Sequence, residues 1–283
     1  MYGDCLDRLP EIESGSIDLV IGDPPYFKVI NKKWDYQWRT EEDYIKWSIG
    51  WTTHIHRILR YGGTFYLFGY FKMLVKLIPY LKEMGFELRQ QILIDKGMRA
   101  VAGRATKKYK MFPRTTESIL FFIKDNKPQI KKFLKEQQNK LSLTSKEINN
   151  AMGVKSNGGG MWSIYTGDNV CAQIPTLEIW KKLQDILEFN LSYNSITQTF
   201  NPQMGLTDIW TDINFYEEKR VHPTQKPKKL IQRLILTSTN KGDTIIDPFA
   251  GSGVTYFTAK ELDRKCIAIE KDQNYYNNII KKI

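Results

Sequence analysis

Five short apolar runs, rich in β-branched and aromatic residues, punctuate the chain: Ile17–Ile21, Thr64–Phe68, Ile119–Ile123, Thr244–Ile246 and Cys266–Ile269. Helical patterns fill the stretches between them, as over Tyr44–Leu59. The runs are continuous rather than alternating, which is how strands read when both faces of a sheet are covered. Strands of this kind interleaved with helices predict an α/β fold, a mostly parallel sheet with helices on both faces.

The pattern changes from Asn126 to Tyr216, where strand candidates vanish, Asn, Gln, Ser and Lys accumulate and Gly158-Gly159-Gly160 interrupts the middle. This predicts an insertion, 126–216, between two halves of one domain, 1–125 and 217–283. Within it, Thr144-x-x-Glu147 is a capping box for a short helix through Met152 that Gly153 ends. A second helix follows Thr176, with Leu177, Trp180, Leu183 and Leu187 on one apolar face. A helix-turn-helix across the glycines is disfavoured, because each would weaken the second helix by roughly 1 kcal/mol.

Charge sharpens the picture. The chain has 42 Lys and Arg against 31 Asp and Glu, a net +11 over 283 residues. Between Arg89 and Lys140 stand 14 basic and 4 acidic residues, so nearly the whole excess is local and resembles a footprint for phosphates. The same residues could also form a solvated Lys-rich face. Cys5, Cys171 and Cys266 are too scattered for a disulfide framework or a zinc site, which fits a reducing, intracellular setting. His54 and His56, two apart on a helix, cannot share an ion, so no metal is expected. No targeting segment or membrane span is expected either.

Two stretches carry candidate chemistry. Asp23-Pro24-Pro25-Tyr26 closes the first apolar run, and by itself it could be no more than a stiff turn. Near the C-terminus, "TIIDPFAGSGVTYFTAKELDRKCIAIE" reads as a strand ending in Asp247, a glycine turn, a helix, and a strand ending in Glu270. An acid about 20 residues beyond such a turn grips ribose hydroxyls in nucleotide-binding folds. No third glycine follows at Tyr256, and Asp247 would repel a phosphate. The turn therefore suits a ligand with a cationic amino group, a ribose diol and no phosphate. S-adenosylmethionine has those features.

The tetrad "DPPY", "HPTQKP" at His222–Pro227 and "DPFAGSG" at Asp247–Gly253, in that order, resemble the β-class of DNA amino-methyltransferases. The likeness spans roughly residues 2–125 and 217–283. Related tetrads in enzymes that methylate protein glutamine or RNA bases usually follow the cofactor motif, so the order here points to DNA. The resemblance implies a Rossmann-like class I methyltransferase fold with S-adenosylmethionine as cofactor. It implies that Asp247, Pro248, Phe249, Gly251, Ser252 and Gly253 wrap the methionine and ribose, and that Glu270 takes the ribose hydroxyls. His222, Thr224, Gln225 and Lys226 would close around the methionine end, with Lys226 facing its carboxylate. Asp4 and Cys5 would border the adenine, and Asp23 would also adjoin the cofactor.

The same resemblance makes Asp23, Pro24, Pro25 and Tyr26 the catalytic tetrad. The Asp23 carboxylate and the Pro24 carbonyl would accept hydrogen bonds from the target amino group, while Tyr26 stacks on the base. A paired base cannot reach such a site and must be flipped from double-stranded DNA. Lys96, Arg99, Arg104, Lys107, Lys108, Lys110 and Arg114 would then grip phosphates. Trp34, Tyr36 and Trp38 suit either a wall facing DNA or a packed cluster. The insertion would be the target recognition region. Asp rather than Ser at the head of the tetrad favours adenine N6 over cytosine N4. A catalytically silent homologue is the contrasting reading, but no tetrad or cofactor-motif position is missing. A homodimer, a companion restriction endonuclease and a cytoplasmic location fit the resemblance.

Overall fold

The computed structural model describes residues 1–29, 33–101, 110, 112–153, 160–168, 172–218 and 221–283. Two compact units result, Met1–Lys124 with Thr199–Ile283, and Asp125–Gln198. The first contains β1 (Ile17–Gly22), β2 (Leu59–Gly69), β3 (Phe86–Asp95), β4 (Thr116–Lys124), β5 (Ile209–Trp210), β6 (Thr244–Asp247) and β7 (Lys265–Ala268). These form one sheet in the order β5-β3-β4-β2-β1-β6-β7. Only β4 runs against its neighbours, pairing antiparallel with both β2 and β3. The mostly parallel α/β sheet expected from the apolar runs is present.

The continuous runs have a simple cause. In β2, Phe65 and Leu67 point into one core while Tyr66 and Phe68 point into the other. Helices α1 (Cys5–Arg8), α2 (Glu41–Ile58) and α3 (Phe71–Glu83) belong with the first of these cores, through residues such as Trp51, Ile55 and Leu77. Every position of such a strand meets apolar neighbours, so no polar alternation survives. β3 and β5 were not among the apolar runs. β3 reads "FELRQQILID", and its middle residues are exposed or half-buried, so the apolar signal breaks.

The second unit carries α4 (Lys127–Lys140), α5 (Ser145–Ala151), α6 (Gly160–Thr166), α7 (Leu177–Ile186) and α8 (Tyr193–Ile196) around its own core. The capping box at Thr144 and Glu147 forms as expected, and Gly153 takes φ 76° just past α5. Trp180, Leu183 and Leu187 are buried, whereas Leu177, expected on the same face, is exposed. This unit ends at Gln198, short of the expected 216, because the chain from Thr199 onward returns to the first unit and adds β5 beside β3.

The chain then completes the second face of the sheet with α9 (Lys228–Ser238) and α10 (Val254–Glu261), and closes with α11 (Gln273–Ile280). β1 is the pivot of the sheet, pairing parallel with β2 on one side and β6 on the other. In open α/β sheets the crevice beyond the carboxyl ends of two such central strands is where ligands bind. Asp23 and Asp247 stand at those two ends.

Trp51 is fully buried and meets Phe65 edge-on at 5.9 Å and Phe249 at 5.1 Å, tying α2 to β2 and to the turn after β6. Trp51→Ala is expected to cost about 3–5 kcal/mol of unfolding free energy, read from the shift of the urea unfolding midpoint.

Candidate active site

A cavity of about 530 Å³ opens beyond the ends of β1, β6 and β7. Asp23, Pro24, Pro25 and Tyr26 line it from the turn after β1, and Asp4 and Cys5 from the chain's first residues. His222, Thr224, Gln225 and Lys226 reach it from the segment before α9. Asp247, Pro248, Phe249, Gly251 and Ser252 line it from the turn after β6, with Glu270 beyond β7. Gly253, expected among them, is not part of the lining. It caps α10 with φ 77°, and a Cβ there would lie 2.9 Å from Ile279 and 3.1 Å from the Phe257 ring. Packing and the left-handed backbone together ask for glycine at that position.

The turn after β1 is clamped from outside the motif. Asp35, fully buried, accepts from the Tyr26 amide at 2.7 Å and the Val29 amide at 2.6 Å, and its carbonyl accepts from the Lys28 amide at 2.8 Å. The Tyr44 hydroxyl donates to the Pro25 carbonyl at 2.8 Å. Phe27 and Lys28 both adopt left-handed backbone, φ 59° and 58°. Two such residues in succession cost of order 1–3 kcal/mol each, and strain of this kind persists only where surrounding contacts over-determine it. Phe27 packs against Tyr44 at 5.6 Å, Trp38 joins the same cluster, and Tyr36 is 52% exposed. Trp34 lines the cavity, stacked 6.2 Å from His222. The three aromatics near the tetrad therefore divide between core, solvent and cavity wall.

Charge in the cavity is arranged around a buried lysine. Lys226, 6% exposed, lies 2.9 Å from Asp23 Oδ2, 3.3 Å from Glu117 Oε1 and 3.0 Å from the Tyr26 hydroxyl. Its ammonium also sits 5.1 Å from the centres of the Tyr26 and Phe68 rings. Lys226, expected to face a ligand carboxylate, does line the cavity. Its ammonium neutralises two acids of the protein, since a buried cation needs paired anions. Burial holds the Asp23 carboxyl above its usual range, with Glu117 adding to the rise and Lys226 opposing it. Burial pushes the Glu117 carboxyl upward too, but Lys226 and Lys96 outweigh it and bring it to about 2.

Lys96, expected to grip phosphates, is half-buried and pairs with Glu117 Oε2 at 2.9 Å. Arg99 is exposed over the Tyr216 ring, Arg114 is exposed over the Tyr70 ring at 4.1 Å, and Lys110 is exposed. Arg104, Lys107 and Lys108 lie outside the described residues.

The turn after β6 is acidic on its cavity side. The Asp247 carboxylate accepts from the Phe249 amide at 2.9 Å and from Thr255, yet burial raises it to about 7, helped by the nearby charges of Asp23 and Glu270. Glu270 accepts from the amides of Gly251 and Asp272, each at 2.7 Å. Asp4 caps α1 and meets Lys271 at 2.7 Å, and Cys5 is buried with its thiol pushed up by burial. The Ser252 hydroxyl is buried without a hydrogen-bond partner. Sequence reasoning did not single out Glu117, Gln37, Trp47, Lys271, Asp272 or Tyr275. Glu117 stands in the apolar-looking stretch "TESILFF", and only the register of β4 shows that it reaches Tyr26. No cluster of His, Cys, Asp and Glu suited to a metal occurs among the described residues.

A family model for N6/N4 DNA methylases matches residues 17–282. The chain belongs to the N6/N4 DNA methylase family. Among curated relatives it is similar to the type II methyltransferase M.BglII of Bacillus subtilis, 28% identical over 96% of this chain and 65% of that protein. It is also similar to the DNA adenine methyltransferase YhdJ of Escherichia coli K12, 24% identical over 100% of this chain and 81% of that one. The fold resembles that of M1.HpyAVI, solved in complex with SAM, with a TM-score of 0.57 at 17% identity over 100% and 97% of the two chains. It equally resembles the cytosine-N4-specific PvuII DNA methyltransferase, with a TM-score of 0.59 at 17% identity over 97% and 82%. No described helix is long and apolar enough to cross a membrane.

A carboxyl raised from 3.8 to about 7 favours the folded state in its protonated form. The stability it contributes is complete below about pH 4 and is lost as pH rises through 7. Unfolding free energies of wild type and Asp247→Asn should therefore converge or cross in the variant's favour, by roughly 1 kcal/mol per pH unit between pH 4 and 7. Urea titrations at each pH measure this.

Proposed function

We propose that this protein transfers a methyl group from S-adenosylmethionine to the N6 amino group of an adenine flipped out of double-stranded DNA. The observation that carries the reading is the meeting, in one cavity, of the clamped Asp23–Tyr26 turn and the acidic turn at Asp247. The cavity fits the cofactor. Carboxylates at Asp23, Asp247 and Glu270 suit a cationic ligand, the unpartnered Ser252 hydroxyl offers it a hydrogen bond, and Phe249 and Trp47 give apolar walls. Its volume lies within the usual range for small-molecule sites, about 300–1,000 Å³.

The cofactor supplies a methyl group already activated on a sulfonium. What remains for the protein is to make an amine nucleophilic, because the lone pair of an exocyclic amine is delocalised into its ring. Asp23 and the Pro24 carbonyl accept hydrogen bonds from that amine and favour a pyramidal nitrogen. The clamps from Asp35 and Tyr44 fix the carbonyl's direction, so alignment is set before the base arrives. Asp247 and Glu270 hold the ammonium and ribose ends of the cofactor, and Tyr26 supports the base.

Lys110, Arg114 and Arg99, with Arg104, Lys107 and Lys108, form the phosphate-gripping region. The unit Asp125–Gln198 is the target recognition region. Asp23 at the head of the tetrad favours adenine over cytosine. A homodimer and a companion restriction endonuclease are consistent with this reading.

Labelled methyl groups from S-adenosylmethionine should enter DNA, and mass spectrometry of the nucleosides should find N6-methyladenine. N4-methylcytosine alone would move the reading to the other base. Asp23→Ala is expected to lower the transfer rate by at least about a hundredfold, and equal incorporation by both proteins would refute its role. Because Asp247 must be ionised to meet a cation, calorimetric cofactor affinity should rise about tenfold from pH 6 to pH 8. In Asp247→Asn that dependence should flatten.

A further inference from the structure

Glu117 is a buried acid, 7% exposed, to which the mechanism above gives no part. Its two oxygens are committed to different groups. Oε2 meets Lys96 at 2.9 Å, while Oε1 lies 2.6 Å from the Tyr26 hydroxyl and 3.3 Å from Lys226. Asp23 repeats the second arrangement, with Oδ1 2.7 Å from the same hydroxyl and Oδ2 2.9 Å from the same ammonium. Tyr26 and Lys226 are therefore each shared between two carboxylates.

A tyrosine hydroxyl has one proton and can donate to only one of the two acids at a time. An ammonium has three donors, and those of Lys226 face Asp23, Glu117 and the Tyr26 oxygen. When a substrate amine donates to Asp23, that carboxylate must loosen its hold on Tyr26 or Lys226. A donor released inside a buried site without another acceptor is heavily penalised. Glu117 is already within reach of both.

Building on the methyltransferase reading, we propose that Glu117 is a positioning residue that takes over the Tyr26 hydroxyl and the Lys226 ammonium as Asp23 turns to the substrate amine. Lys96 anchors it from the other side, and with Lys226 it balances the two carboxylates charge for charge. The arrangement also sets the ionisation of Asp23. Asp23 is faced by Tyr26 from its own turn, Glu117 from β4, Lys226 from the segment before α9 and Asp247 from the end of β6. The charge of Glu117 raises the Asp23 carboxyl, so removing it makes Asp23 ionise at lower pH.

The test compares single-turnover methyl transfer by wild type, Glu117→Gln and Glu117→Asp across pH, with cofactor and DNA affinities measured alongside. Glu117→Gln should lose about ten- to a hundredfold in rate with both affinities within about threefold, and the acid limb of its rate profile should move to lower pH. Glu117→Asp should recover part of the rate and keep the limb where wild type has it. A glutamine variant with wild-type rate and an unmoved limb would overturn the proposal. If that variant does not fold, Lys96→Met serves instead: losing a positive charge beside Glu117 should move the limb to higher pH, and an unmoved limb overturns the proposal. Failure of wild type to methylate DNA would instead overturn the underlying reading.

Discussion

The ammonium of Lys226, sunk among aromatic rings at the end of the sheet, ties together the parts of the site that lie far apart in sequence. It joins the turn after β1 to β4 and to the segment before α9 through Asp23, Glu117 and Tyr26. A lone charge there would be prohibitively desolvated, so the lysine and its two acids require one another. Removing one partner would leave the others as uncompensated buried charges. The position of Asp23 is thus fixed by groups contributed from three separate stretches of chain.

A second constraint acts on the backbone. Asp35 and Tyr44 hold the turn from Pro25 to Val29 in a conformation that Phe27 and Lys28 would not choose unaided. The cost of that geometry is met by packing in the hydrophobic cluster of Trp38, Tyr44 and Met73, against which Phe27 lies. A turn held in this way can present a carboxylate and a carbonyl in fixed directions, whereas two prolines alone would stiffen it without aiming it.

Across the cavity the turn after β6 does the opposite electrostatic work. Its Asp247 is buried with the charges of Asp23 and Glu270 nearby, and burial above all leaves that carboxyl near 7. One side of the cavity is therefore internally balanced, and the other is left wanting a positive charge. A cationic cofactor beside a neutral base is the chemistry that such an asymmetry accommodates.

Much of this was legible in the linear chain. The apolar runs marked β1, the core of β2, β4, β6 and β7, because strands buried on both faces need apolar residues at every position. The tetrad and the glycine turn marked the cavity, because they end adjacent strands. β3 and β5 were not legible, since a partly solvated strand and a two-residue one lack that signature, and the insertion's expected end at 216 differs from Gln198 because the apolar residues of Thr199–Tyr216 are too interrupted to read as a strand. The charges of Lys226 and Lys96 were legible but not the acids they meet, and Glu117 was passed over just ahead of the run Ile119–Ile123. A sequence shows which charges exist and which short segments must be strands or turns. Which acid meets which base depends on strand register and on what burial permits, and those are decided only when the chain has closed on itself.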